Sequence, residues 1–239
     1  DIADEDRTGK ESKQREVSVI NRLIQELVKQ ADVLQGKEEV VKENFLLTSL
    51  EHRRNKIKEQ EWVRPETPLT RSFLFTNDKA EASMASELSR EILSSDRIDF
   101  LVSFIKFSGL TMILPDLRRF TERGGRLRVI TNTYMRATDA KAVKVLTELP
   151  NTEVRMSHDT DRTRLHAKAY MLHRNSGFST AYVGSSNLSH AAIADGLEWN
   201  MKIAKEDMPE VMRKMEASFE GYWHSPGFNT VHTEDIEDL

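Results

Sequence analysis

From residue 80 onward the chain alternates between amphipathic runs of helical period and short continuous apolar runs. That alternation restricts the fold more than any other feature of the sequence. Helical spacing covers 80–94, 109–123, 139–148 and 208–222, while strand-like runs fall at 98–105, 126–131, 152–156, 165–172, around 182, and 197–203. The pattern predicts an α/β fold, a mixed and partly parallel sheet flanked by helices. In such sheets chemistry gathers at strand ends and the loops that join them.

The amino-terminal quarter is different material. Residues 1–60 hold 12 Lys/Arg and 13 Asp/Glu. Val17, Ile20, Ile24, Leu27 and Val28 recur at helical spacing, Gly36 reads as a stop, and a second run over 38–58 carries Val41, Phe45 and Leu50. We read 1–61 as a helical hairpin, 62–71 with Pro65 and Pro68 as a linker, 72–230 as the α/β domain, and 231–239 as an acidic tail or the start of a further linker. Asp1, with neither Met nor a signal-peptide pattern, reads as the start of a fragment of a longer protein.

Chemistry concentrates between 166 and 198. His166-Ala167-Lys168 lies in the run 165–172, where side chains two apart share a face, so an imidazole stands beside an ammonium. After a turn at 175–177 comes a second strand-like run that ends in Gly184-Ser185-Ser186-Asn187, ahead of a helical stretch at about 188–194. Hydroxyl, amide and backbone N–H donors at such a turn suit an anion. Glu198 follows thirteen residues after Ser185. His-x-Lys alone is common and Gly-Ser-Ser-Asn alone is most often a turn, but their ordered occurrence with a carboxylate downstream points to a site.

The ordered set resembles the phospholipase D superfamily pattern, His-x-Lys followed by Gly-Ser-x-Asn. The resemblance implies that His166 is a nucleophile forming a phosphohistidine, and that Lys168 and Asn187 bind phosphate with Ser185 assisting. It implies that Glu198 orients His166. One departure is His173, where the pattern carries Asp five residues after the Lys; strand parity puts it on the face opposite His166. Stretches 99–105, 127–134, 163–170 and 178–200 also resemble the phospholipase D-like domain at the amino end of certain bacterial DEAD/DEAH-type helicases and related restriction enzymes. Family members with one His-x-Lys pair two chains, so the resemblance implies a homodimer with one composite site. It also implies a DNA substrate, or RNA, and no metal or other cofactor.

Weaker candidates for substrate contact are Arg162 and Arg164 ahead of the motif strand, Lys106 after the run 98–105, and Thr131 and Thr133 after the run 126–131. Trp199 reads as core more than as a stacking platform, and Tyr222 and Trp223 as residues that close the last helix on the sheet. No 18-residue apolar run exists and Cys is absent, which removes thiolate metal sites and disulfides and suggests a cytoplasmic setting. The formal charge is only -4, so nucleic acid would have to be met by local basic clusters. The same phosphate chemistry would serve a phospholipid or small-diester hydrolase, and a non-catalytic nucleic-acid-binding dimerisation module is the third class.

Overall fold

The computed structural model describes residues 65–76, 83–133, 137–157, 165–196 and 198–238, all within the compact unit Thr48–Leu239. The expected helical hairpin at 1–61 lies outside the described residues. The strands are β1 (Phe73–Phe75), β2 (Arg97–Val102), β3 (Arg126–Asn132), β4 (Thr152–Ser157), β5 (Lys168–His173), β6 (Thr180–Gly184), β7 (Asn200–Ala204) and β8 (Asn229–Thr230). Between them run helices α1 (Met84–Leu93), α2 (Phe107–Glu122), α3 (Ala140–Thr147) and α4 (Pro209–Trp223). All eight strands form one sheet in the order β1-β7-β6-β5-β2-β3-β4-β8. Pairing is parallel for β2–β3–β4, where helical crossovers join the strands, and antiparallel elsewhere.

Period-two alternation divides the sheet into two faces, and each carries a buried cluster. Ile98, Phe100, Val102, Leu127, Val129, Tyr170, Leu172 and Tyr182 pack beneath α1, α2 and α3. Leu101, Ile130, Ala169, Met171, Ala181 and Ile203 face α4 through Met212, Phe219 and Trp223. Helix α4 stops short of the sheet's far corner. Leu74, Val183 and Met201 are neighbours across three strands on that face, and they remain exposed.

Each face also holds a buried ionic cluster. Under α1, the carboxylate of Glu91 meets Lys202 at 2.6 Å, Tyr182 Oη at 2.7 Å and Arg174 at 3.0 Å, with Thr180 also donating to it. One turn earlier Glu87 accepts the backbone N–H groups of Glu66 and Thr67, which ties the incoming chain to α1. Under α4, Arg128 pairs with Asp99 at 2.6 Å and its guanidinium lies over the rings of Phe219 and Trp223. Buried charges hold only when paired, so both clusters fix how the helices seat on the sheet.

Several boundaries move from the sequence expectation. The run 165–172 becomes strand only at Lys168, and the helical stretch at about 188–194 is a single π-turn, Ala191–Asp195. Helix α2 begins two residues before Gly109 because Asp139, from outside the helix, accepts the Phe107 N–H at 2.9 Å and caps it. Gly109 itself is needed for contact: a Cβ there would stand 2.5 Å from the backbone of Ser189, so α2 abuts the segment that follows Asn187. Strands β1 and β8 are too short to show a pattern in the sequence.

Candidate active site

The site forms where β5 begins and β6 ends. Two neighbouring strand ends hold the approach to β5: Asn132 of β3 donates to the carbonyl of Leu165 at 3.0 Å, and Ser103, just past β2, donates to that of Ala167 at 3.4 Å. His166 is therefore placed by its flanking peptides although it precedes the strand. Its side chain is exposed, whereas Lys168 is buried. The Lys168 ammonium lies 3.0 Å from Nδ1 and 3.3 Å from Nε2 of His166 and donates to the His166 carbonyl at 2.7 Å. Burial draws the lysine below its ordinary pKa range, against the opposing pull of Glu198.

The turn after β6 supplies the second half. Gly184 is obligatory there, because a Cβ would stand 2.1 Å from the Trp199 carbonyl oxygen. Ser185 continues the β6–β7 ladder: its N–H donates to the Trp199 carbonyl at 3.2 Å, and its Oγ accepts the Trp199 N–H at 3.2 Å. Asn187 is buried and its Oδ1 accepts the Phe104 N–H at 3.2 Å, so the NH2 is the end of the amide remaining for a ligand. Glu198 is half-buried. Its charge acts on Lys168, and together with burial it pushes the Tyr170 phenol far above its usual range. Among the described residues it makes no hydrogen bond to His166.

The structure thus brings together His166 and Lys168 on one side and Ser185, Asn187 and Glu198 on the other. Of the weaker candidates, Lys106, Thr131 and Thr133 have side chains engaged by other parts of the fold. Lys106 is ion-paired to Asp139 at 2.9 Å, beside the start of α2. Thr131 is fully buried and donates to the Ser103 carbonyl at 3.4 Å, and Thr133 donates to the Ser157 carbonyl at 3.5 Å, so both brace strand ends. Arg162 and Arg164 lie outside the described residues. Trp199 is 68% exposed, which overturns its reading as core; the backbone ladder with Ser185 fixes the residue while its ring faces water. Trp223, the last residue of α4, does pack against the sheet, stacked on Phe219 at 5.7 Å, and Tyr222 stays 43% exposed.

Three contributors escaped the sequence reading. Tyr170, two residues beyond Lys168 on the same face, donates its hydroxyl to the Ser186 carbonyl at 3.0 Å. Ser186 is fully buried between the two candidate donors, and Asn200 grips it. The spacing 166, 168, 170 was the available signal for Tyr170; nothing local marks Asn200. Chemically the arrangement offers an exposed imidazole, a cation and amide donors, the groups that would attack and neutralise a phosphoryl centre. Among the described residues no group of three or more His, Cys, Asp or Glu is disposed to hold a metal ion.

Residues 88–223, over half of the chain, match the family model described as cardiolipin synthase, PLD-like domain. No curated protein matches the sequence. Among solved structures, the chain is similar to Nuc from Salmonella typhimurium, a phospholipase D family member, at 17% identity and a TM-score of 0.50, covering 68% of this chain and 99% of that one. NucT from Helicobacter pylori is also 17% identical, with a TM-score of 0.49 over 63% of this chain and 94% of its own. Phosphatidylserine synthase from Haemophilus influenzae is 11% identical, with a TM-score of 0.47 over 70% of this chain and 43% of its own. At these identities the likeness to Nuc is one of fold.

Proposed function

Since the chain belongs to the phospholipase D-like domain family, we propose that it is a metal-independent phosphodiesterase, a DNA nuclease module of a larger helicase or restriction-type protein. The observation that carries this reading is the exposed His166 imidazole set against the buried Lys168 ammonium, with the Asn187 amide held at the adjoining strand end. The choice of DNA rests on the resemblance of the surrounding strands to helicase-associated domains.

In the proposed reaction a ring nitrogen of His166 attacks phosphorus, a P–N bond forms, and the P–O bond to the leaving oxygen breaks. The departing oxygen takes a proton from His166 of a second copy. Water then attacks the phosphohistidine, gives its proton to that second imidazole, and releases His166. Two Lys168 ammonium groups and two Asn187 amides spread the charge of the phosphoryl oxygens. A single His-x-Lys per chain supports the two-copy site, and the exposure of His166 in one chain suits a group completed across a two-fold axis.

Cleavage of DNA and of a chromogenic diester in EDTA, compared between the parent and His166→Ala, tests the reading. Strict dependence on a divalent metal would sink it. A second reading, phospholipid hydrolysis, is favoured by the exposed Leu74, Val183, Met201 and Trp199 near the same end of the sheet. It predicts release of headgroup from phosphatidylcholine vesicles with DNA left intact. DNA binding that weakens steeply with salt, together with no cleavage of any diester, would favour the non-catalytic module.

A further inference from the structure

Asn200 sits on β7, opposite Gly184 on one side and Phe75 on the other, and it is 1% exposed. A buried primary amide is costly unless its polar atoms are matched, and a leucine would fill a similar volume without that demand. Both ends of the Asn200 amide are spent on one residue. Its Nδ2 donates to Ser186 Oγ at 2.7 Å, and its Oδ1 accepts the Ser186 N–H at 3.3 Å.

Ser186 is otherwise held as well. Its hydroxyl donates to the Ala192 carbonyl at 3.0 Å and its carbonyl accepts the Tyr170 hydroxyl at 3.0 Å. Every polar group of Ser186 is therefore engaged by β7, β5 or the π-turn. Ser185 and Asn187, the two residues that the family resemblance assigns to phosphate, are one peptide away on either side. With Asn187 Oδ1 taken by the Phe104 N–H, the remaining freedom of its NH2 is set by where Ser186 is pinned.

We infer that Asn200 is a positioning residue for the phosphate-binding turn, acting through Ser186 to hold the Asn187 amide and Ser185 in register with His166 and Lys168. The inference deepens the phosphodiesterase reading and rests on it. Tyr170 is the complementary brace, and it belongs to the strand of His166 and Lys168, so Ser186 is the point where the two halves of the site are joined.

The test uses the parent, Asn200→Ala, Ser186→Ala and the double variant. Three quantities are measured well below each variant's Tm: the melting temperature, kcat and KM on a chromogenic diester, and inhibition by inorganic vanadate as a phosphoryl mimic. Asn200→Ala is expected to lower kcat by about 100-fold, the scale of a 1 Å misplacement at a reacting centre, and to weaken vanadate about 10-fold. Ser186→Ala should reproduce part of the loss, and the double variant should be no worse than Asn200→Ala. A lowered Tm with kcat and vanadate affinity within twofold of the parent would overturn the inference. Should Asn200→Ala fail to fold, Ser186→Ala alone decides: unchanged kcat and vanadate affinity sink the proposal. If the parent cleaves no diester yet binds vanadate in a His166-dependent way, the activity reading fails while the vanadate comparison still decides the role of Asn200. A parent that neither cleaves nor binds vanadate overturns both.

Discussion

Nε2 of His173 lies 2.9 Å from Oδ2 of Asp99, on the face of the sheet opposite Lys168. Nδ1 of the same ring is 3.4 Å from Glu216 of α4. Where the family pattern carries Asp on β5, this chain has a histidine, and the carboxylate arrives from β2. Burial alone would raise the Asp99 carboxyl; His173 and Arg128 hold it below the usual carboxylate range instead.

His173 is therefore expected to matter for stability and little for chemistry. His173→Ala should lower unfolding free energy by about 1–3 kcal/mol, because it removes a ring that the buried Asp99 carboxylate meets at 2.9 Å. In urea titrations the midpoint should fall, while kcat per folded chain stays within about threefold of the parent. A hundredfold loss of kcat with unchanged stability would contradict the placement of His173 on the far face.

His166→Ala and Lys168→Ala should each remove diester cleavage by roughly 10⁴-fold, the scale on which residues acting as one unit fail together. EDTA should leave the parent's rate unchanged. Circular dichroism should report an intact fold for His166→Ala, since that side chain is exposed.

If one site needs two copies of His166, the activity of mixed chains follows the square of the parent fraction. Equal amounts of parent and His166→Ala, allowed to exchange, should give about half the activity of the same parent alone, and a ninefold excess of the variant about a tenth. An enzyme complete within one chain would show no such decline.

Glu91 predicts the acid limb of stability. Burial opposes its ionisation, but Arg174 and Lys202 outweigh burial and hold the carboxyl at about 2, against 4.5 for an ordinary glutamate. Its folded pKa is depressed, so its contribution is complete above about pH 4.5 and is lost as pH falls towards 2. Chemical denaturation followed from pH 6 to 2 should show that slope. Glu91→Gln should flatten it and cost about 3–5 kcal/mol near neutrality, where it strands two buried cations.

The alternation of helix and strand was legible in the sequence because periodicity reports burial on one face or two, and β2, β3, β4, α3 and α4 fall within two or three residues of where the pattern puts them. His166, Lys168, Ser185, Asn187 and Glu198 were singled out by spacing and resemblance, and the pairing of β5 with β6 sets their segments at adjoining strand ends. What stayed hidden depends on tertiary register. Asn200 pairs with Ser186 only because β7 lies against β6, and no local sequence signal encodes that neighbour. Trp199 was misread for the same reason: an aromatic beside strand residues is usually core, but α4 does not extend over that corner of the sheet. Lys106 and Thr131 stand at strand ends as expected, yet Asp139 and Ser103 had already claimed their polar atoms.

Among the described residues, the sheet ends at its margins in β1, three residues long, and β8, two residues long. Such short borders give another chain almost no ladder to extend, which guards against open-ended fibrous stacking. Two copies that associate are thereby steered away from sheet continuation and towards meeting through faces or strand tips, and the tips of β5 and β6 are where His166 and Asn187 stand.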